Sequence, residues 1–72
     1  MIYSVRLASH DMCEERVYTA SIEECQRRVL EYVNKYNVAA SNWIGGEVFD
    51  GLGNLIGRIA CNGNFSVLED RI

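Results

Sequence analysis

The segment from Ser21 to Asn37 constrains the fold more than any other part of this chain. Its first four residues, Ser21-Ile22-Glu23-Glu24, form a capping box. The Ser21 hydroxyl is placed to accept from the Glu24 N–H while the Glu24 carboxylate reaches back to the N–H of Ser21. At about 100° per residue, Ile22, Cys25, Val29, Tyr32, Val33 and Tyr36 then share one side of a helix. Glu23, Glu24, Arg27, Arg28, Glu31 and Lys35 share the other. Glu23 with Arg27, Glu24 with Arg28 and Glu31 with Lys35 each set an acid four residues before a base, worth about 0.3 kcal/mol apiece on an exposed surface. Val38 breaks the pattern, so the helix is expected to end near Asn37, a residue that tolerates a left-handed backbone.

An amphipathic helix needs an apolar surface to lie on, and the flanking sequence supplies strands. Met1 to Ala8 alternates, with Tyr3, Val5 and Leu7 on one face and Ile2, Ser4, Arg6 and Ala8 on the other. Ser9 to Glu15 is polar and reads as a hairpin loop, followed by a second strand from Arg16 to Ala20. After the helix, strands are expected at Ile44 to Phe49, Asn54 to Cys61 and Phe65 to Glu69, separated by turns rich in Gly and Asn. The expected fold class is α+β: a single helix on one face of a mostly antiparallel five-stranded sheet, in the order β-β-α-β-β-β. A right-handed crossover out of the second strand sets the first strand beside the third, for a spatial order 2-1-3-4-5. Residues 1–72 are expected to form one domain.

The turns carry a register. A three-residue loop at Asn62-Gly63-Asn64, with Asn64 left-handed, pairs Cys61 with Phe65 and Ile59 with Val67. A four-residue loop at Asp50-Gly51-Leu52-Gly53 places Val48 beside Leu55, Gly46 beside Gly57 and Ile44 beside Ile59, leaving room over the glycines for Trp43 or Tyr36. In this register the helix covers Ile44, Val48, Leu55, Ile59, Cys61, Phe65 and Val67. Phe49, Ile56 and Leu68 then project from the uncovered face, with Leu52 at a turn tip and Arg6, Arg58 and Glu47 nearby. Phe49, Leu52, Ile56, Arg58, Leu68, Arg6 and Glu47 are the expected partner-binding residues, because an apolar patch on so small a protein marks a contact surface.

Composition narrows the function. A net charge of −3 argues against affinity gained by neutralising phosphates, which needs clustered, unpaired Lys and Arg. Three cysteines at irregular spacing do not form a disulfide framework. No N-terminal run has signal-peptide zones, so a reducing cytoplasm is the expected location. No apolar run reaches the roughly 20 residues of a membrane span. His10-Asp11-Met12-Cys13 brings an imidazole, a carboxylate and a thiol into one loop, but such a loop is a poor platform for catalytic geometry. His10, Cys13, Cys25 and Cys61 have the ligand types of a zinc site, yet Cys25 and Cys61 occupy expected core positions. Asp50-Gly51-Leu52-Gly53-Asn54 precedes a strand and lacks the Lys, Ser or bidentate Glu of phosphate or calcium loops. No cofactor, metal or catalytic residue is expected.

Read as strand, strand, helix and a three-strand meander, with Ser21-Ile22-Glu23-Glu24 opening the helix and Asp50-Gly51 and Asn62-Gly63 in the turns, the chain resembles small proteins encoded by phages and other mobile elements. Some anti-CRISPR proteins share this size and layout. The resemblance implies a stoichiometric inhibitor that binds a host defence complex and occludes a nucleic-acid or partner site without catalysis. It carries no family binding residue onto a numbered position here. The expected function is thus a non-enzymatic protein-binding module, with an inhibitor of a CRISPR-type nuclease complex in the host cytoplasm as its narrower form. The alternatives are a small homodimeric accessory protein, or a nucleic-acid-binding module that stacks bases on Arg6, Arg58, Phe49 and Tyr18 of the open sheet face.

Overall fold

The helix α1 runs from Ile22 to Tyr36, and both of its ends are closed by the residues its sequence singles out. The Ser21 Oγ accepts from the Glu24 N–H at 3.1 Å, while the Glu24 carboxylate accepts from the N–H of Ala20 at 3.4 Å, one residue earlier than a capping box requires. Asn37 takes φ 53°, ψ 49°, and its N–H and that of Val38 both donate to the Val33 carbonyl. A computed structural model of the protein describes residues 2–10 and 12–67. Met1, Leu68 and Glu69, expected at strand ends, lie outside the described residues, as does Asp11.

Five strands form one antiparallel sheet: β1 Tyr3–Ser9, β2 Met12–Thr19, β3 Glu47–Phe49, β4 Leu55–Ile59 and β5 Phe65–Val67. Their spatial order is β2-β1-β3-β4-β5, as the handedness of the crossover predicts. A short 3₁₀ turn, Ala40–Asn42, leads from α1 back to the sheet. Helix and sheet bury Val5, Leu7, Cys25, Val29, Tyr32, Val48 and Ile59 between them. Tyr3, Val17, Ile22, Val33, Tyr36, Trp43 and Phe65 pack around this core.

Several boundaries and contacts differ from expectation. β2 begins at Met12, not Arg16, because Leu7 pairs with Glu15 and Ser9 with Met12. The run Cys13-Glu14-Glu15 has loop composition because it is an exposed part of an edge strand, not because it leaves the sheet. β3 is confined to Glu47–Phe49; upstream, Trp43 bridges to Ser9 and the N–H groups of Ile44 and Gly46 donate to the Ala8 and Arg6 carbonyls. The helix ion pairs are Arg27 with Glu24 at 3.5 Å, Arg27 with Glu31 at 4.0 Å and Arg28 with Glu31 at 3.8 Å. Lys35 lies instead over the ring of its neighbour Tyr36.

Both hairpins of the meander close in the same way. Asp50 pairs with Asn54 and Ala60 with Asn64 through backbone bonds of 2.9 Å, and the fourth residue of each turn, Gly53 or Gly63, has positive φ. Each loop therefore has three residues, with a glycine in the left-handed position that sequence reasoning gave to Asn64. The frame moves by one or two residues: Ile59 faces Phe65 and Gly57 faces Val67, while Val48 faces Gly57 and Phe49 faces Leu55. Ile56 is left as an extra residue in a β-bulge between those last two pairs. Gly57 makes room not for Trp43 or Tyr36 but for Phe65, whose ring atoms lie 2.6 Å from where a Cβ would stand. Trp43 instead donates its indole N–H to the Ile59 carbonyl at 3.0 Å.

Candidate binding face

The pairings of the sheet line up side chains on the face away from α1. Tyr18, Ser4, Phe49 and Leu55 form one row across β2, β1, β3 and β4. Arg16 stands opposite Arg6, and Glu47, Arg58 and Ser66 continue that second row across β3, β4 and β5. One row is largely apolar and aromatic, with the hydroxyls of Tyr18 and Ser4; the other is charged apart from Ser66.

The charged row is partly self-contained. Arg6 donates from Nε to Glu47 Oε1 at 2.9 Å and from Nη2 to Glu47 Oε2 at 3.0 Å, a bidentate pair. Its Nη2 also donates to the Ile44 carbonyl at 2.5 Å and its Nη1 to Glu14 Oε1 at 3.1 Å. Burial pushes the Glu47 carboxyl up, but the Arg6 hydrogen bonds, its own backbone N–H and the charges of Arg6 and Arg58 together hold it below the ordinary carboxylate range. Arg6 is held correspondingly above its usual value, chiefly by the hydrogen bond to Glu47. Arg6 and Glu47 thus brace β1 against β3. Arg58 is exposed and reaches only the Gly45 carbonyl, at 3.4 Å, among the described residues.

The apolar row is the accessible part. Arg16 arches from β2 over β1, donates to Ser4 Oγ at 3.2 Å, and lays its guanidinium 4.8 Å from the centre of the Phe49 ring. Ile2, Tyr18 and Leu55 are exposed around this stack, and Leu52 is 89% exposed at the turn tip. Asp50 fixes that tip, since its Oδ1 accepts from the N–H groups of Leu52 and Asn54, both at 2.9 Å. The Asn54 bond is the main reason that the Asp50 carboxyl sits below its ordinary value. Two shallow cavities at this end of the sheet share Ile2 and Tyr18. One is completed by Thr19, Ala20 and Glu24, the other by Tyr3, Ser4, Asp50 and Gly51.

Of the residues expected at the site, Phe49, Arg58, Arg6 and Glu47 lie together on this face, and Leu52 stands at its margin. Ile56 does not join them, since the bulge turns it to the core, against which it is half buried. Leu68 lies outside the described residues. Arg16, Leu55 and Ile2 were missed. Arg16 alternates with Tyr18 and was legible from parity alone, whereas Leu55 takes the place expected of Ile56 only because of the bulge.

The other constellations are dispersed. His10 is exposed at the end of β1, and Cys13 is exposed on β2. Cys25 is fully buried against Thr19 Oγ1 at 3.0 Å, and burial pushes its thiol up. Among the described residues no three His, Cys, Asp or Glu side chains are grouped to hold a metal ion, and no helix is long and apolar enough to cross a membrane. Comparison with protein-family models, curated proteins and solved structures finds no match to this chain.

Proposed function

We propose that this protein is a non-enzymatic binding module that takes a protein partner on the open face of its sheet. The observation that carries this reading is the stack of Arg16 on Phe49 in the middle of an exposed row flanked by Tyr18 and Leu55. Aromatic and arginine side chains held rigid within apolar surroundings are the usual centres of binding energy at protein interfaces. The complementary partner has an apolar centre to cover Phe49, Leu55 and Ile2, and carboxylates to meet Arg16 and Arg58. In its narrower form the module is a mobile-element inhibitor that occupies a site on a host defence nuclease complex. The resemblance in size and strand layout supports that form.

A second reading has the same face stacking single-stranded nucleic acid, favoured by the guanidinium already lying on an aromatic ring. Against it, Arg6 is neutralised by Glu47 and Glu14, and the chain carries a net charge of −3.

The test compares the protein with its Phe49→Ser/Leu55→Ser variant as baits in an extract of the native host, then reconstitutes the captured protein in purified form. The expected result is a stoichiometric complex with the unaltered chain that the double variant fails to form. Identical capture by both baits overturns the reading. So does binding to single-stranded RNA that weakens steeply with salt and is lost in the same variant.

A further inference from the structure

We infer that the β2 edge is a self-association site, at which a second copy of this chain pairs antiparallel in a register centred on Glu15. β2 is one of the two outermost strands of the sheet, eight residues long, and exposed from Cys13 to Arg16. Which of its backbone groups face outward follows from β1. The carbonyls of Arg6 and Ala8 accept from the N–H groups of Gly46 and Ile44, so the even-numbered residues of β1 aim their backbone toward β3. Tyr3, Val5 and Leu7 therefore aim toward β2 and engage their partners Thr19, Val17 and Glu15. The N–H and C=O of Arg16 and Tyr18 and the C=O of Glu14 are left directed away from the sheet, a template for a further strand; beyond Glu14 the β1–β2 ladder shifts register, with Cys13 and Glu14 together opposite Ala8.

Charge selects the occupant and the register. Two identical strands that pair about a twofold axis must keep each side chain on its own face, so outward residues meet outward residues. A register centred on Glu14 or on Arg16 sets like charges directly opposite. Centring on Glu15 places Glu14 against Arg16 of the second copy and Arg16 against its Glu14, charges that within each copy also hold Arg6 and Ser4, with both helices on the same side of a continuous sheet. The two Glu15 residues then meet on the helix side, where Arg28 and Lys35 line the same groove as Glu15. The strand is thus complementary to itself at its ends and mildly repulsive at its centre. A domain of 72 residues, with only a marginal core of its own, gains from the added pairing.

The experiment is sedimentation equilibrium on the intact chain, with circular dichroism to confirm that each variant is folded. The unaltered protein is expected at twice its monomer mass. Glu14→Arg and Arg16→Glu, each of which opposes like charges across the edge, should be monomeric alone and recover the dimer mass when mixed, because their β2 strands then carry opposite charges. Glu15→Gln should tighten the dimer about two- to fivefold. Arg16→Pro removes one outward N–H without touching the β1 ladder and should give a folded monomer, which keeps the test decisive if a reversal variant fails to fold. A monomer at millimolar concentration overturns the inference, as does a dimer indifferent to the edge substitutions. A dimer abolished by Phe49→Ser/Leu55→Ser but not by Glu14→Arg overturns it too, by moving self-association to the open face. Arg16 also belongs to the open-face stack, but neither Glu14 nor Glu15 does, so Glu14→Arg and Glu15→Gln separate the two readings and failure here leaves the open-face reading standing.

Discussion

The Arg16 guanidinium lies 4.8 Å from the centre of the Phe49 ring, although the two residues stand on strands separated by β1. Arg16 spans the gap by resting on Ser4, whose hydroxyl accepts from it at 3.2 Å and is buried beneath it. The contact ties the edge strand to the middle of the sheet while leaving the guanidinium exposed. An exposed cation on an aromatic ring is worth about 0.5–1 kcal/mol. A double-mutant cycle of Arg16→Ala and Phe49→Ala, followed by chemical denaturation, should return a coupling of that size. Additivity of the two losses would show that the stack contributes nothing to stability.

Glu47 gives the protein a defined acid response. Its carboxyl is held below the ordinary range in the fold, so the unfolded chain takes up this proton first as the pH drops. The resulting stability is fully present above about pH 4.3, the unperturbed glutamate value, and is lost as the pH falls through the lower folded value. Glu47→Gln should therefore cost about 1–2 kcal/mol near neutrality, where Arg6 loses a charged partner, and progressively less toward strong acid. Thermal melts of both proteins from pH 7 to pH 2 check this. Parallel curves would show that Glu47 is not the group responsible.

Gly57 is held to glycine by its cross-strand neighbours. A Cβ there would stand 2.6 Å from the Phe65 ring and 2.5 Å from the Ser66 carbonyl oxygen. The ring can turn aside, but the carbonyl belongs to the backbone of β5. Gly57→Ala should destabilise the fold by about 1–3 kcal/mol, and adding Phe65→Leu should restore only part of the loss. Full restoration would assign the whole clash to the ring. Denaturation midpoints of the single and double variants measure the division.

Helix and strand order were legible because each rests on signals independent of distant contacts. Ser21 and Asn37 close α1 through local hydrogen bonds, and Cys25, Val29 and Tyr32 mark its buried stripe by spacing alone. The crossover rule then leaves few places for β1. The first half of β2 was hidden because Cys13, Glu14 and Glu15 are solvated in the strand as they would be in a loop. The meander registers slipped because Asn64 and Gly63 both tolerate a left-handed backbone, and the choice between them rests on the pairing of the whole hairpin. Each loop ends in a Gly followed by Asn, and that repetition was the available clue. The site inherited these errors: Phe49 and Arg58 kept their face, whereas Leu55 and Ile56 exchanged theirs.

That exchange gives the sharpest separation of fold from function. A bulge at Ile56 directs its side chain into the core and leaves Leu55 opposite Phe49 on the exposed row. In an unbulged register the assignment reverses, with Leu55 inside and Ile56 out. Ile56→Ser should therefore lower stability by about 1–3 kcal/mol through loss of burial and exposure of a polar group to the core. Leu55→Ser should change stability by less than about 0.5 kcal/mol while weakening partner binding by about tenfold or more. Denaturation curves and titration against the reconstituted partner measure the two effects separately. If Leu55→Ser unfolds the protein while Ile56→Ser does not, β4 lacks the bulge and the apolar row on the open face must be redrawn around Ile56.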